Sequence, residues 1–163
     1  MRFKMKVGWA ILETVPDPMY MAKSKLRSSP KDKKSGLPKK YVPKSLSQSD
    51  RKKQLKSLRS KTNAPRPQVG SFKSKRSPWV VKFEKKYKHK ITDDAFISKN
   101  IISREGIKQI LAKGRGAYKS GGSRPNQNPT SWARARLASV ILGGKARTVD
   151  QKIWNKYKVQ SKK

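Results

Sequence analysis

Only 9 acidic side chains stand against 43 lysines and arginines in this chain, a formal net charge of +34 over 163 residues. Self-repulsion on that scale opposes compaction unless an anionic partner neutralises it. Any fold must gather its apolar residues where the cations thin out. Nucleic acid is the first partner implied; anionic lipid headgroups and acidic faces of other proteins follow. With 33% of residues hydrophobic, a modest core in one half is expected, with chain held open by charge in the other. The sequence has no cysteine, which excludes disulfides and thiolate metal sites.

The lysines stop through most of SRPNQNPTSWARARLASVILGGKAR, Ser123 to Arg147, where arginines interrupt an apolar run. Thr130 reads as a helix cap and Gly143–Gly144 as the stop. On a wheel of about 100° per residue, Ala133, Leu137, Val140 and Ile141 fill one apolar arc, and Ala135, Ala138 and Leu142 another. Arg134 falls between the arcs, and Arg136 lies on the polar side with Ser139. A helix apolar on nearly every side is buried on nearly every side. One side can face its own core and another a neighbouring molecule. Arg134 then needs a carboxylate, from Asp150, Glu105 or a partner, or several carbonyls.

Other helices announce themselves by caps and spacing. Ser47 and Asp50 form a capping-box pattern ahead of Leu55 and Leu58, predicting a helix over Gln48–Ser60. SPWVVKFEKKY opens with a Ser cap and Pro at the first helical position, and sets Trp79, Phe83 and Tyr87 on one aromatic face. That face reads as core rather than as a base-stacking surface. Thr92 caps the short TDDAFI helix, and Asp93 and Asp94 suit its dipole better than a metal. Ser103 caps SREGIKQILAKG, with Ile107, Ile110 and Leu111 buried and Gly114 as its stop. In TVDQKIWNKYK, Val149, Ile153 and Tyr157 share a face beside Trp154. Alternating strand pattern is almost absent. The expected class is mainly α: a small domain of short helices preceded by long extended basic arms.

The expected organisation is an atypical leader over 1–20, an extended basic arm with one short helix over 21–76, the helical domain over 77–159 and a basic tail over 160–163. The leader begins like a signal peptide, but its apolar patch, Val7 to Leu12, ends at Glu13 without a small-residue cleavage pattern. It falls far short of the roughly 20 apolar residues that span a bilayer. Met19 and Met21 offer a second reading, a leader upstream of the usual start. Pro30, Pro38 and Pro43 favour extended backbone in the arm, and TNAPRPQVGSFKSKR reads as a second basic linker.

Catalytic groups are scarce. His89 is the only histidine, flanked by lysines that disfavour its protonation. GRGAYKSGG invites comparison with a phosphate-binding loop, but Tyr118 stands where that motif needs glycine before Lys119–Ser120. Its glycines, with Arg115 and Lys119, suit only non-specific phosphate contact. No enzyme, metal, cofactor or small-molecule substrate is expected. The candidate polyanion- or partner-binding cations on the arm are Lys39, Lys40, Arg51, Lys52, Lys53, Arg66, Lys73, Lys75 and Arg76. Arg115, Lys119 and Arg124 join them from the domain. Docking or core positions are Trp79, Phe83, Tyr87, Trp132, Arg134, Leu137, Ile141 and Trp154.

Between Lys40 and Tyr157 the motifs YVPKSLSQSDRKKQLKS, SFKSKRSPWVVKFEKKY, ISKNIISREGIKQILAKGRGAY, GSRPNQNPTSWARARLASVILGGKAR and VDQKIW resemble a family of small basic domains from nucleocytoplasmic large DNA viruses of algae and protists. The fourth is the most specific, since helix formation forces neither Trp-Ala-Arg-Ala-Arg nor the double glycine. The resemblance implies a viral protein located in the virion, without a catalytic pattern. The leading expectation is a non-enzymatic structural component, a minor capsid protein. Its domain would dock on the major capsid protein or other minor capsid proteins, while basic arms meet acidic surfaces, viral DNA or anionic lipid of an inner membrane. The alternative is a sequence-independent DNA-binding or condensing protein of the virion core. A ribosomal-type RNA binder is the third reading.

Overall fold

Capping residues and apolar spacing produce six helices among residues 30–159, the part of the chain that this computed structural model describes. They are α1 (Gln48–Arg59), α2 (Pro78–Tyr87), α3 (Asp94–Asn100), α4 (Arg104–Gly121), α5 (Pro129–Ile141) and α6 (Lys145–Tyr157). The class is mainly α. Extended pairing among the described residues is limited to isolated bridges, Lys31 with Pro38 and Ile102 with Lys158. The leader, the arm's first residues up to 29 and the tail from 160 lie outside the described residues.

Two predicted caps hold: the Ser47 and Ser103 hydroxyls accept from the backbone amides of Asp50 and Gly106. Others move. Ser77 occupies the N-cap of α2 without a side-chain cap bond, so Pro78 with its fixed φ sets that start. Asp93 rather than Thr92 caps α3, accepting from Phe96 N. Asn128 rather than Thr130 caps α5, in a reciprocal box with Ser131. A side-chain carbonyl reaches the exposed amides as readily as a hydroxyl does.

Helix α5 is the centre of the molecule, packed on α4, α6 and α2. Leu137, Ala138, Val140 and Ile141 join Phe83, Ile97, Ile107, Ile110 and Ile153 in the main core. No residue from Trp132 to Leu142 is fully exposed. Both apolar arcs are therefore used inside the molecule. The aromatic face of α2 is core as well: Phe83 is fully buried with its ring 4.8 Å from that of Tyr87 and tilted 40° to it, and Trp79 packs against the same core. Val149 departs from its predicted face and is 60% exposed. Besides Val81 it is the only large hydrophobic so exposed among the described residues.

Gly114 does not end α4, which continues through the glycine-rich stretch to Gly121. A β-carbon at Gly114 would stand 2.6 Å from the Ala133 Cα, so the glycine is the point where α4 and α5 cross closest. Gly116, two residues on, has nothing within 4 Å. The two alanine substitutions should therefore differ in sign. Gly114→Ala should cost about 1–3 kcal/mol, because backbone has to give way. Gly116→Ala should gain about 0.5–1 kcal/mol of helix propensity. Urea unfolding of both variants checks the pair.

The acid that Arg134 takes is neither Asp150 nor Glu105. Arg134 forks onto Asp94, with Nη2–Oδ2 at 2.9 Å, and also donates to the Ile91 carbonyl. Asp150 instead binds Arg136, at 2.7 and 2.9 Å, with Lys113 3.5 Å away. Asp150 is fully buried, so the side of α5 that the wheel made polar is an internal ion pair.

The segment expected to stand open as an arm lies, from Pro30 onward, against the helical domain. Tyr41, Val42, Leu46, Leu58 and Val69 form a second core, closed by Phe72 and Trp132. Trp132 meets the Tyr41 and Tyr118 rings edge-on at 6.0 and 6.5 Å and so links this cluster to the domain. Sparse apolar residues, of which only Leu55 and Leu58 are spaced along one helix, suffice once they share one tryptophan.

Candidate polyanion interface

A strap from Ala64 to Phe72 carries part of the site, and the loop between α4 and α5 holds it. Arg66 N donates to the Gln127 carbonyl at 2.8 Å. Asn126 is the clasp: Oδ1 accepts from Val69 N at 2.7 Å, and Nδ2 donates to the carbonyls of Val69 and Phe72 at 3.2 and 2.9 Å. Its φ of +58° is a left-handed conformation that asparagine tolerates better than most residues. The Tyr118 hydroxyl lies 2.9 Å from both the Ala64 and Gln127 carbonyls. At the strap's far end, the Asp50 carboxylate accepts from Ser71 Oγ at 2.6 Å, which ties the strap to α1.

Below the strap Arg66, predicted to meet a polyanion, is 1% exposed. Its Nε donates to Ser123 Oγ, Nη1 to the Ser57 carbonyl and hydroxyl, and Nη2 to the Tyr118 carbonyl. The guanidinium lies 4.6 Å from the Tyr118 ring centroid. Its donors are spent inside the protein, so it cannot reach an external phosphate. Burial raises the Tyr118 phenol's pKa, with the Arg66 charge opposing it.

So held, the strap brings Lys73 and Lys75 to Arg124, and with Phe72 and Gln127 they line a cleft of about 220 Å³. Arg124 also faces Lys40 and Tyr41. The Lys40 pKa is lowered, first by burial and then by the charges of Arg124 and Lys145. Burial raises the Tyr41 phenol, and Arg124 draws it back down. Arg124 thus lines the cleft with Lys73 and Lys75 and is close enough for its charge to act on Lys40 and Tyr41.

No carboxylate among the described residues forms a salt bridge with these cations. Of the 9 acids, Glu13 and Asp17 lie outside the described residues, and every other one is engaged elsewhere. Asp32 pairs with Arg51 and Ser35, which lowers its pKa, the Ser35 hydroxyl being the largest cause. Asp50 holds Ser71, Glu84 pairs with Arg76 and Glu105 accepts from Gln109. Asp93 caps α3 and bonds His89; those bonds, Phe96 N first, lower its pKa. Asp94 and Asp150 serve α5. Among the described residues no salt bridge involves Lys40, Lys73, Lys75, Arg124 or Lys145.

Of the predicted cations, then, Lys73, Lys75 and Arg124 come together in one cleft, and Lys40 feels the charge of Arg124. Lys39, Lys52, Lys53, Arg115 and Lys119 are exposed outside the cleft's lining, Arg51 and Arg76 are paired, and Arg66 is internal. The glycine-rich amides beside Arg115 and Lys119 are taken up in α4, so no loop cradles phosphate there. The docking or core positions are core: Leu137 and Ile141 are buried, and half-buried Trp154 lies beneath the Arg147 guanidinium at 4.0 Å. Sequence reasoning missed Lys145, Phe72 and Gln127. No local signal marks them, because strap and loop meet across 57 residues of chain at Val69 and Asn126.

No curated protein and no solved structure matches the chain. A family model described as a family of unknown function, DUF5824, matches residues 38–157. That span takes in the second core, the strap, the cleft and all six helices of the described residues. The chain belongs to the DUF5824 family.

Proposed function

We propose that this chain is a non-enzymatic, sequence-independent nucleic-acid binder. Among the virion roles that the resemblance implies, this corresponds to condensing DNA in the core of a virus particle. The observation that carries the reading is the convergence of Lys73, Lys75 and Arg124 on one cleft, none of them in a salt bridge among the described residues. Such a surface is unfavourable in the free protein, and an arriving phosphate relieves it. A phosphate backbone supplies charge at short regular intervals, which an isolated anion does not. Contacts to phosphate carry no base information, hence the absence of sequence preference.

Fluorescence anisotropy of the full chain on two unrelated duplexes, over a salt series, tests this. Affinity should fall steeply and equally for both duplexes. The triple variant Lys73→Ala, Lys75→Ala, Arg124→Ala should flatten the log–log slope by about 2.7, at about 0.9 for each phosphate left without its cation. A flat salt dependence, or a slope unmoved by the triple variant, would count against the reading. Docking on shell proteins draws less support, because α5, the helix that suggested it, uses its apolar arcs internally. Fractionation of particles separates the two: recovery with the shell and not with the genome would favour the capsid role.

A further inference from the structure

We infer that the cleft is a seat for an unpaired base, with Phe72 as its stacking face, so that the ligand is single-stranded nucleic acid in preference to duplex. This rests on the nucleic-acid reading above and narrows it.

Phe72 is half-buried, supported from behind by the second core while it lines the cleft in front. An aromatic ring on a cationic wall is the combination that holds single strands: lysines and arginines track the backbone, and the ring takes the flat face of any base. Lys73, Lys75 and Arg124 share this wall. The ring's backbone is fixed, since Asn126 Nδ2 binds the Phe72 carbonyl at 2.9 Å, and little order has to be gained on binding. The Gln127 side chain adds a polar group: its Oε1 accepts from Ser131 Oγ at 3.3 Å, and its amide nitrogen has no partner among the described residues. That nitrogen can donate to a base edge carbonyl. A duplex keeps its bases stacked within the helix and offers the cleft phosphates alone.

The test compares full-chain binding to a thymidine 30-mer and to a hairpin duplex of equal phosphate number at one salt concentration. The single strand should bind more tightly. Phe72→Leu, which keeps the apolar support and removes the π-face, should weaken single-strand binding by about fivefold to 100-fold. Duplex affinity should fall by a smaller factor than single-strand affinity, and Phe72→Trp should restore single-strand binding. A thermal melt of each variant guards against loss of the fold. Equal affinity for the two ligands, or a Phe72→Leu variant whose single-strand affinity is unchanged, overturns this inference and leaves the phosphate-binding reading standing. Failure to bind either ligand in a salt-sensitive way, with capture by phosphatidylserine vesicles instead, overturns both.

Discussion

Replacing Asp150 by alanine is expected to lower the stability of the fold by about 3–5 kcal/mol, the cost of breaking a buried ion pair from one side. The carboxylate has no solvent exposure and accepts from Arg136 Nε and Nη2 at 2.7 and 2.9 Å. Without it, the Arg136 guanidinium, whose side chain is 18% exposed, keeps its charge beside Lys113 with nothing to balance it. Lys113 is half in solvent and can turn away; Arg136 sits on the central helix and cannot. In a thermal melt the loss should appear as a fall in Tm of roughly 6–20 °C. Asp150→Asn, which keeps the shape and one acceptor, should lose less. The double variant Asp150→Leu, Arg136→Met should recover most of the stability, because removing both charges removes the stranded one. A double variant as unstable as Asp150→Ala would show that packing, and not charge, was the cause.

That ion pair marks the limit of what was legible in the chain. Helix existence was legible, because a cap and its apolar spacing are local: Ser103 with Ile107 and Ile110 is read correctly from one short window. Gly114 was not. A glycine that stops a helix and one that lets two helices touch look alike until Ala133 is in place opposite. The wheel identified α5 as enclosed but could not say which acid faces which arginine, since Asp94 and Asp150 arrive on different helices. The same holds for the cleft. Lys73, Lys75 and Arg124 were legible as surplus cations, whereas their convergence depends on Asn126 gripping a strap from a distant part of the sequence. Composition counts Arg66 with them, and only the enclosing oxygens of Ser57, Tyr118 and Ser123 set it apart.

Arg66→Ala should therefore behave as a folding variant and not as the removal of one phosphate-binding charge. Hydrogen bonds from a charged donor are worth about 1.5–3 kcal/mol each. Arg66 makes several of them, to the carbonyls of Ser57 and Tyr118 and the hydroxyls of Ser57 and Ser123. Against these stands the cost of burying a guanidinium with no carboxylate beside it. The balance is an expected loss of about 2–4 kcal/mol, read by urea unfolding. Arg66→Lys discriminates between the two roles. A surface phosphate contact would survive it, since lysine keeps the charge. An internal clamp would not: one ammonium cannot reach Ser123, Ser57 and Tyr118 from the positions that a planar fork occupies. Both variants should also weaken nucleic-acid binding beyond one charge's share, because a strap freed at Arg66 no longer delivers Lys73 and Lys75 to Arg124. Normal stability together with a salt slope reduced by about 0.9 in Arg66→Ala would instead place that guanidinium on the outside.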